Sequence, residues 1–496
     1  MDELRPAGTD AAGDAGAAPG EPVESGLVTN LANSVLNLVG RFGAITFLSG
    51  LSTIAITRLL GPANYGVYGA AVATWSVLGA AADFGFSLML SRDLPHLQGS
   101  QRAMLRSAYE VATAWSTVLA LVMVALAVSA GIDTDRGLAL LILAPSMIFN
   151  GLNPARVFFV LRSRTASLLR VDVITTALQV AATVTVAALG FGVDAVVAAL
   201  SIGSIVNGVA VAVAANRLLE PSAERRVGRR GLIRRSVPLG LLSIMTKVYL
   251  MIDLVLLGWL VTGPQLGNYA AASKLLTIFA TIAGVVLVGA LPAISSMVGL
   301  KAELEKLVLR IWNWLIVGVV PVFVAVALFA PVVIRILLGH QYAGAVPLLR
   351  ILAIAGAFSV ANNLLGNLMI AYRKTRSLFI QNGAAIALNV ALNLILVPSY
   401  GVTASAWLTV ASEVLVCLMA LAVIVREIDL WPCLKTSARP VLAMALAAAV
   451  AVALEQWTVL AVVASSLAFL LLMSLLRAWP EDFRPGALLA GLRRAP

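Results

Sequence analysis

Thr57-Arg-Leu-Leu-Gly-Pro-Ala-Asn-Tyr-Gly-Val-Tyr-Gly-Ala-Ala71 returns, shortened, as Gly263-Pro-Gln-Leu-Gly-Asn-Tyr-Ala-Ala271. In both copies a Gly-Pro turn separates two long apolar runs, and a Gly-x-Tyr followed by small residues opens the second run. Both follow the first long apolar segment of their half of the chain, which is the signature of an internal duplication. The turn itself needs only glycine for the reversal and proline for a fixed φ, so its expected role is structural, as a register mark between the halves.

The surrounding composition says what is duplicated. The 496 residues are 60% hydrophobic and 12% charged, with mean hydropathy +0.96. Soluble domains carry about a quarter charged residues, so this is an all-α polytopic membrane protein. Its apolar runs are long enough to cross ~30 Å of hydrocarbon at ~1.5 Å per residue, and they lack the alternation of a membrane β-barrel. The net charge of +11 sits in short loops rather than in a basic groove, which argues against nucleic acid as a partner. Two cysteines, Cys417 and Cys433, and two histidines, His96 and His340, supply neither a disulfide framework nor a metal cluster, and no cofactor is expected.

About fourteen transmembrane helices are expected. Residues 1–26 read as a disordered tail, without the positive start and apolar core of a signal peptide. Residues 27–216 form a first six-helix lobe, 217–235 a basic linker, 236–425 a second six-helix lobe, and 426–496 two further helices and a C-terminal tail. The connections on one side hold 26 of the 35 Lys and Arg; those on the other hold only Arg58, Arg136 and Arg335. The positive-inside rule then puts the basic side and both termini in the cytoplasm of a cell membrane protein. A monomer is expected, since each lobe has its partner in the same chain.

Ionisable residues inside the spans are the candidates for chemistry, because each costs roughly 2.5–3.5 kcal/mol at a helix centre. They are Arg41 in helix 1, Asp83 in helix 2, Arg156 in helix 4, Lys247 and Asp253 in helix 7, Lys274 in helix 8, Arg350 in helix 10 and Glu413 in helix 12. Lys247 lies too deep to snorkel to an interface. Arg41 is shallow enough to do so; Lys274 and Arg350 sit nearer the outer face and Arg156 nearer the inner, where an inter-helix ion pair or a lipid head is the plainer account. Glu110, Asp172 and Asp194 lie near span ends, within reach of water. At about 100° per residue, Lys247 and Asp253 are about 120° apart on their helix and cannot pair within it.

Arg58-Leu-Leu-Gly-Pro-Ala-Asn-Tyr-Gly-Val-Tyr68 and Ala82-Asp-Phe-Gly-Phe-Ser87 resemble the opening of the polysaccharide-transporter (Wzx-type) oligosaccharide flippases. Asp253-Leu-Val-Leu-Leu-Gly258, Leu338-Gly-His-Gln-Tyr-Ala-Gly-Ala345 and Asn389-Val-Ala-Leu-Asn393 continue the resemblance over most of residues 27–425. It implies two six-helix lobes around a central cavity, lined by helices 1, 2, 7 and 8, and alternating access. The implied cargo is a polyprenyl-diphosphate-linked oligosaccharide carried from the inner to the outer leaflet; membrane lipids, a polysaccharide polymerase and glycosyltransferases are the implied partners.

On those helices Lys247, Arg41 and Lys274 are the expected diphosphate ligands, with Arg156 and Arg350 as further cations. Asp83, Asp253 and Glu413 are expected either to couple transport to protons or sodium or to act as counter-ions. Trp75, Tyr249 and Phe279 are candidates for sugar stacking, against packing as the plainer role. Two alternatives stay open: a lipid-linked peptidoglycan precursor flippase and a cation-coupled multidrug exporter. An enzyme of glycan transfer would need an extramembrane domain that the short loops do not provide.

Overall fold

The computed structural model describes residues 23–93, 101–161, 165–217, 229–454 and 456–479, and the expected N-terminal tail falls almost wholly outside them. The described residues contain no strand. The first part comprises α1 (Val23–Asp83), α2 (Phe86–Asp93), α3 (Gln101–Ala130), α4 (Asp135–Asn150), α5 (Arg156–Leu161), α6 (Thr165–Ala188) and α7 (Gly192–Arg217). The second comprises α8 (Arg229–Leu260), α9 (Pro264–Ser296), α10 (Lys301–Trp314), α11 (Val320–Leu328), α12 (Ala330–Leu337), α13 (Ala345–Ala371) and α14 (Thr375–Ile424), followed by α15 (Trp431–Ala453) and α16 (Thr458–Leu475). Lipid offers no hydrogen bonds, so apolar segments of this length satisfy their backbones as helices.

Among the described residues nine helices are long and apolar enough to cross a membrane, or ten if the bent pair Asp135–Asn150 and Asn153–Phe159 is one span. The two longest helices are each interrupted by one glycine, α1 at Gly61 (φ 71°, ψ 168°) and α14 at Gly401 (φ 63°, ψ −157°). Gly263 (φ 72°, ψ −155°) and Gly339 (φ 92°, ψ 174°) adopt the same conformation, which side-chain-bearing residues essentially never reach. The expectation of about fourteen helices treats α1 and α14 as two crossings each. We call the end of the bundle that carries Gly61 and Gly263 the turn end, and the opposite end the basic end.

Two sets of helices pack internally. The first is α3, α4, α6 and α7 with α1; the second is α8, α9, α13 and α14 with α11, and α15 and α16 lie beside it through α10 and α11. The seam between the sets is made mainly by α1 against α8 and α9. Pro154 lies at the 40° bend between α4 and α5. Pro321 is the second residue after a π-helical stretch, Leu315–Val319, that widens the helix ahead of it.

Candidate functional site

At the turn end the two copies of the repeated stretch pack on one another. A Cβ added at Gly267 would lie 1.6 Å from the Pro62 carbonyl oxygen, and one added at Gly66 2.8 Å from the Gly267 nitrogen. The turn expected to be a register mark is thus also the surface by which one lobe meets the other. Flanking bonds reinforce it. The Tyr342 hydroxyl donates to the Thr57 carbonyl at 2.7 Å, Gln341 Nε2 to the Arg58 carbonyl at 2.8 Å and Arg58 Nε to the Leu337 carbonyl at 2.8 Å, while Arg58 Nη2 donates to the Ile336 carbonyl. The Arg136 guanidinium stands 5.5 Å from the centroid of the Trp259 ring, a cation–π contact between α4 and α8. At the basic end, a Cβ at Gly240 would lie 2.6 Å from the Phe84 carbonyl carbon, and Leu232 is buried among Phe86, Met89 and Met104.

Between these closures lie two of the expected cations. Gly240, Leu254 and Gly258 all fall within about 20° of Lys247 around α8. Each touches the first lobe, at Phe84, Gly69 and Ala70 respectively. Lys247 therefore faces the first lobe. On α9, Gly267, Ala270 and Ile278 share the face of Lys274 and touch Pro62, Gly69 and Gly50 of α1. Lys274 therefore faces α1.

The two ammoniums are within electrostatic reach of each other, and neither makes a hydrogen bond or ion pair with the described residues. Thr246 precedes Lys247 and Thr277 lies one turn after Lys274, both exposed, and Ser49 and Thr53 stand on α1 on either side of Gly50. Thr53, Thr246 and Thr277 turn their hydroxyl protons back to their own helices, at 2.8, 3.0 and 2.9 Å, leaving oxygen lone pairs outward. The side chain of Arg41 lies outside the described residues.

The carboxylates of this region face the other way, into the second lobe. Asp253 is buried, accepts from the Tyr269 hydroxyl and the Leu254 N–H (2.8 Å), and lies 3.4 Å from Thr409 Oγ1. Glu413 accepts from Asn362 Nδ2 at 2.6 Å. The Tyr249 hydroxyl is buried beside Glu413, within electrostatic reach of both carboxylates. Neither Asp253 nor Glu413 forms an ion pair among the described residues. Helix α8 is thus two-sided, with Lys247 toward the seam and Tyr249 and Asp253 toward the lobe interior.

The remaining candidates lie apart from the cation pair. Arg156 binds Asp172 at 2.7 and 2.8 Å and Asn207 Oδ1 at 2.6 Å, an inter-helix ion pair inside the first lobe. Asp172, expected near water, is buried there. Asp83 accepts from Ser87 Oγ at 2.5 Å at the basic end, and Arg350 is exposed near the start of α13. The indole of Trp75 donates to Ser146 Oγ at 2.9 Å, and Phe279 packs against two apolar clusters. Sequence reasoning missed Tyr269, Thr409, Gln341 and Tyr342, whose partners come from distant helices. Arg58 and Arg136 had left a signal, as two of the three exceptions to the charge bias, and both are held across the seam.

A family model described as polysaccharide biosynthesis protein matches residues 55–347. No curated protein sequence matches the chain. A solved structure of a lipid II flippase, MurJ, in an inward closed conformation is similar in fold, with TM-score 0.71 at 15% identity, covering 88% of this chain and 98% of that one. An inward-facing multidrug resistance MATE family transporter of the MOP superfamily gives 0.58 at 13% identity over 77% and 93%, and an outward-facing one 0.55 at 14% over 79% and 96%. The likeness extends along nearly the whole length of these structures, and the family model spans more than half of this chain, which therefore belongs to the polysaccharide biosynthesis protein family and carries the fold of these membrane transporters.

Proposed function

We propose that the chain carries a polyprenyl-diphosphate-linked oligosaccharide from the inner to the outer leaflet of the cell membrane by alternating access, with its basic end and both termini in the cytoplasm. The observation that carries this reading is the Lys247–Lys274 pair: two cations without anionic partners, aimed into the seam far from either helix end. Two like charges held close are costly in the empty protein, and an anion between them removes the cost. A diphosphate would exchange its hydration for charge-assisted bonds to both ammoniums, while the polyprenyl chain stays in lipid. Arg41 is the third cation we assign to this site.

Asp253 and Glu413 have hydroxyl and amide partners rather than cations, which favours ion coupling over a counter-ion role. We assign proton or sodium coupling to them. The fold likeness to a lipid II flippase supports a second reading, a lipid-linked peptidoglycan precursor as cargo. A cationic drug as cargo would be repelled by both lysines.

In cells lacking their own oligosaccharide flippase, the wild-type gene should restore surface glycan, and a K247Q/R41Q double variant, inserted at equal level, should not. Full rescue by the double variant overturns the assignment. Rescue of a peptidoglycan precursor flippase deletion, without rescue of surface glycan, selects the second reading.

A further inference from the structure

A second feature of the first lobe fits a ligand, on helices other than the α1, α8 and α9 of the seam. A groove of about 680 Å3 runs along α6 and α7. Its walls are apolar, with Phe159 of α5, Val171 of α6 and Val206, Val209 and Val213 of α7. The three valines on α7 are exposed and repeat at helical spacing, a stripe that no described helix covers. Its basic-end mouth holds Ser167 and Arg217. Arg170 Nη2 reaches Ser167 Oγ at 3.5 Å, so a second guanidinium stands at the same mouth. Both arginines are exposed, and neither makes an ion pair among the described residues.

Length and charge together define the occupant. From Ile205 to Arg217 the groove follows α7 for roughly 18 Å at ~1.5 Å per residue, close to half of a ~30 Å hydrocarbon layer. An apolar channel one leaflet deep, ending at two guanidinium groups, matches one acyl chain below a phosphate. We propose that this groove binds an anionic glycerophospholipid of the leaflet at the basic end, its phosphate held between Arg170 and Arg217. A headgroup without a cation of its own is preferred, because an ammonium beside the phosphate would compete with the arginines. The site is independent of the cargo.

The test is native mass spectrometry of the purified full-length protein, equilibrated with equal amounts of phosphatidylglycerol and phosphatidylcholine of identical chains. The wild type should retain one phosphatidylglycerol with about tenfold preference, equivalent to about 1.4 kcal/mol. R170Q/R217Q should abolish the preference, and V209W/V213W, which fills the groove and leaves the charges, should abolish retention of both lipids. Glycerol phosphate without acyl chains should not displace the bound lipid. Equal retention of the two lipids by the wild type, or an unchanged preference in R170Q/R217Q, overturns the proposal. So does displacement by polyprenyl phosphate at lower concentration than by phosphatidylglycerol, which would give the groove to an isoprenoid chain.

Discussion

Tyr342 and Thr57 stand 285 positions apart and on opposite lobes, and the hydroxyl of one donates to the carbonyl of the other at 2.7 Å. Thr57 and Arg58 lie in the last turn before the break at Gly61, where helical carbonyls have no partner of their own. Gln341 serves the second of these carbonyls, and Arg58 in return serves Ile336 and Leu337 in the last turn of α12. Each helix end caps the other across the seam. Removing two of these donors in R58Q/Y342F should cost the closed turn end about 1–3 kcal/mol for each abandoned carbonyl. Spin labels at the exposed Ala63 and Ala343 should then report a longer second distance that the wild type lacks. An unchanged distance distribution would show that the caps do not hold the end shut.

Gly267 tests the same closure by shape. A methyl group there would sit 1.6 Å from the Pro62 carbonyl, a contact that no relaxation of a flexible side chain can relieve. In Gly267→Ala, a cysteine placed at Ile56, which is 3% exposed, should react with a thiol reagent added from the turn end, and transport should fall to background. Gly299→Ala, where an added Cβ meets nothing within 4 Å, is the matched control and should leave both readouts unchanged.

The helices and the duplication were legible because their signals are local: apolar length, charge bias, and Gly-Pro pairs where the backbone enters a glycine-only region. The sidedness of α8 was legible in part. The spacing of Lys247 and Asp253 excludes a pair within the helix, but which side each faces depends on Gly240, Leu254 and Gly258 meeting the first lobe, and close approach of two backbones leaves no mark beyond small residues. Lys274 read as nearer an interface because depth along its own helix is all that one segment gives. Its nearness to Lys247 is a property of two helices. Arg156 and Asp172 are 16 positions apart on different helices, and nothing in either segment announces the other.

That ion pair should behave as structure rather than as site. Asp172 is buried and Arg156 about a third exposed, at 8% and 35% of the side chain. D172N should therefore destabilise by about 2 kcal/mol, below the 3–5 kcal/mol typical of a fully buried pair. Heat-induced loss of the monodisperse protein should occur at lower temperature in D172N and in R156Q, and the double variant should lose less than the sum of the two. A strictly additive cycle would separate the residues.

Glu413→Gln is nearly isosteric, and Asn362 offers the new amide an acceptor, because Asn362 Oδ1 is buried without a partner. The variant should fold and bind cargo as the wild type does. In vesicles under an imposed proton or sodium gradient, wild-type transport should accelerate, and E413Q should run at the same slow rate with or without the gradient. A gradient response retained in E413Q would remove Glu413 from the coupling step and leave Asp253.

Lys274 separates function from stability most cleanly. A site built for folding would put an anion beside Lys247, whereas the structure puts a second ammonium within its electrostatic reach. Neutralising Lys274 as Lys274→Gln should relieve that repulsion and raise the heat stability of the cargo-free protein, the usual trade between stability and function. The same change deletes one of the three cations of the proposed diphosphate site, so transport should fall at least tenfold, the equivalent of about 1.4 kcal/mol. Thermal unfolding in detergent and glycan delivery in vesicles, measured on one preparation, give the two signs together. Lower heat stability with unchanged delivery would make Lys274 a packing residue and leave Lys247 and Arg41 to hold the cargo.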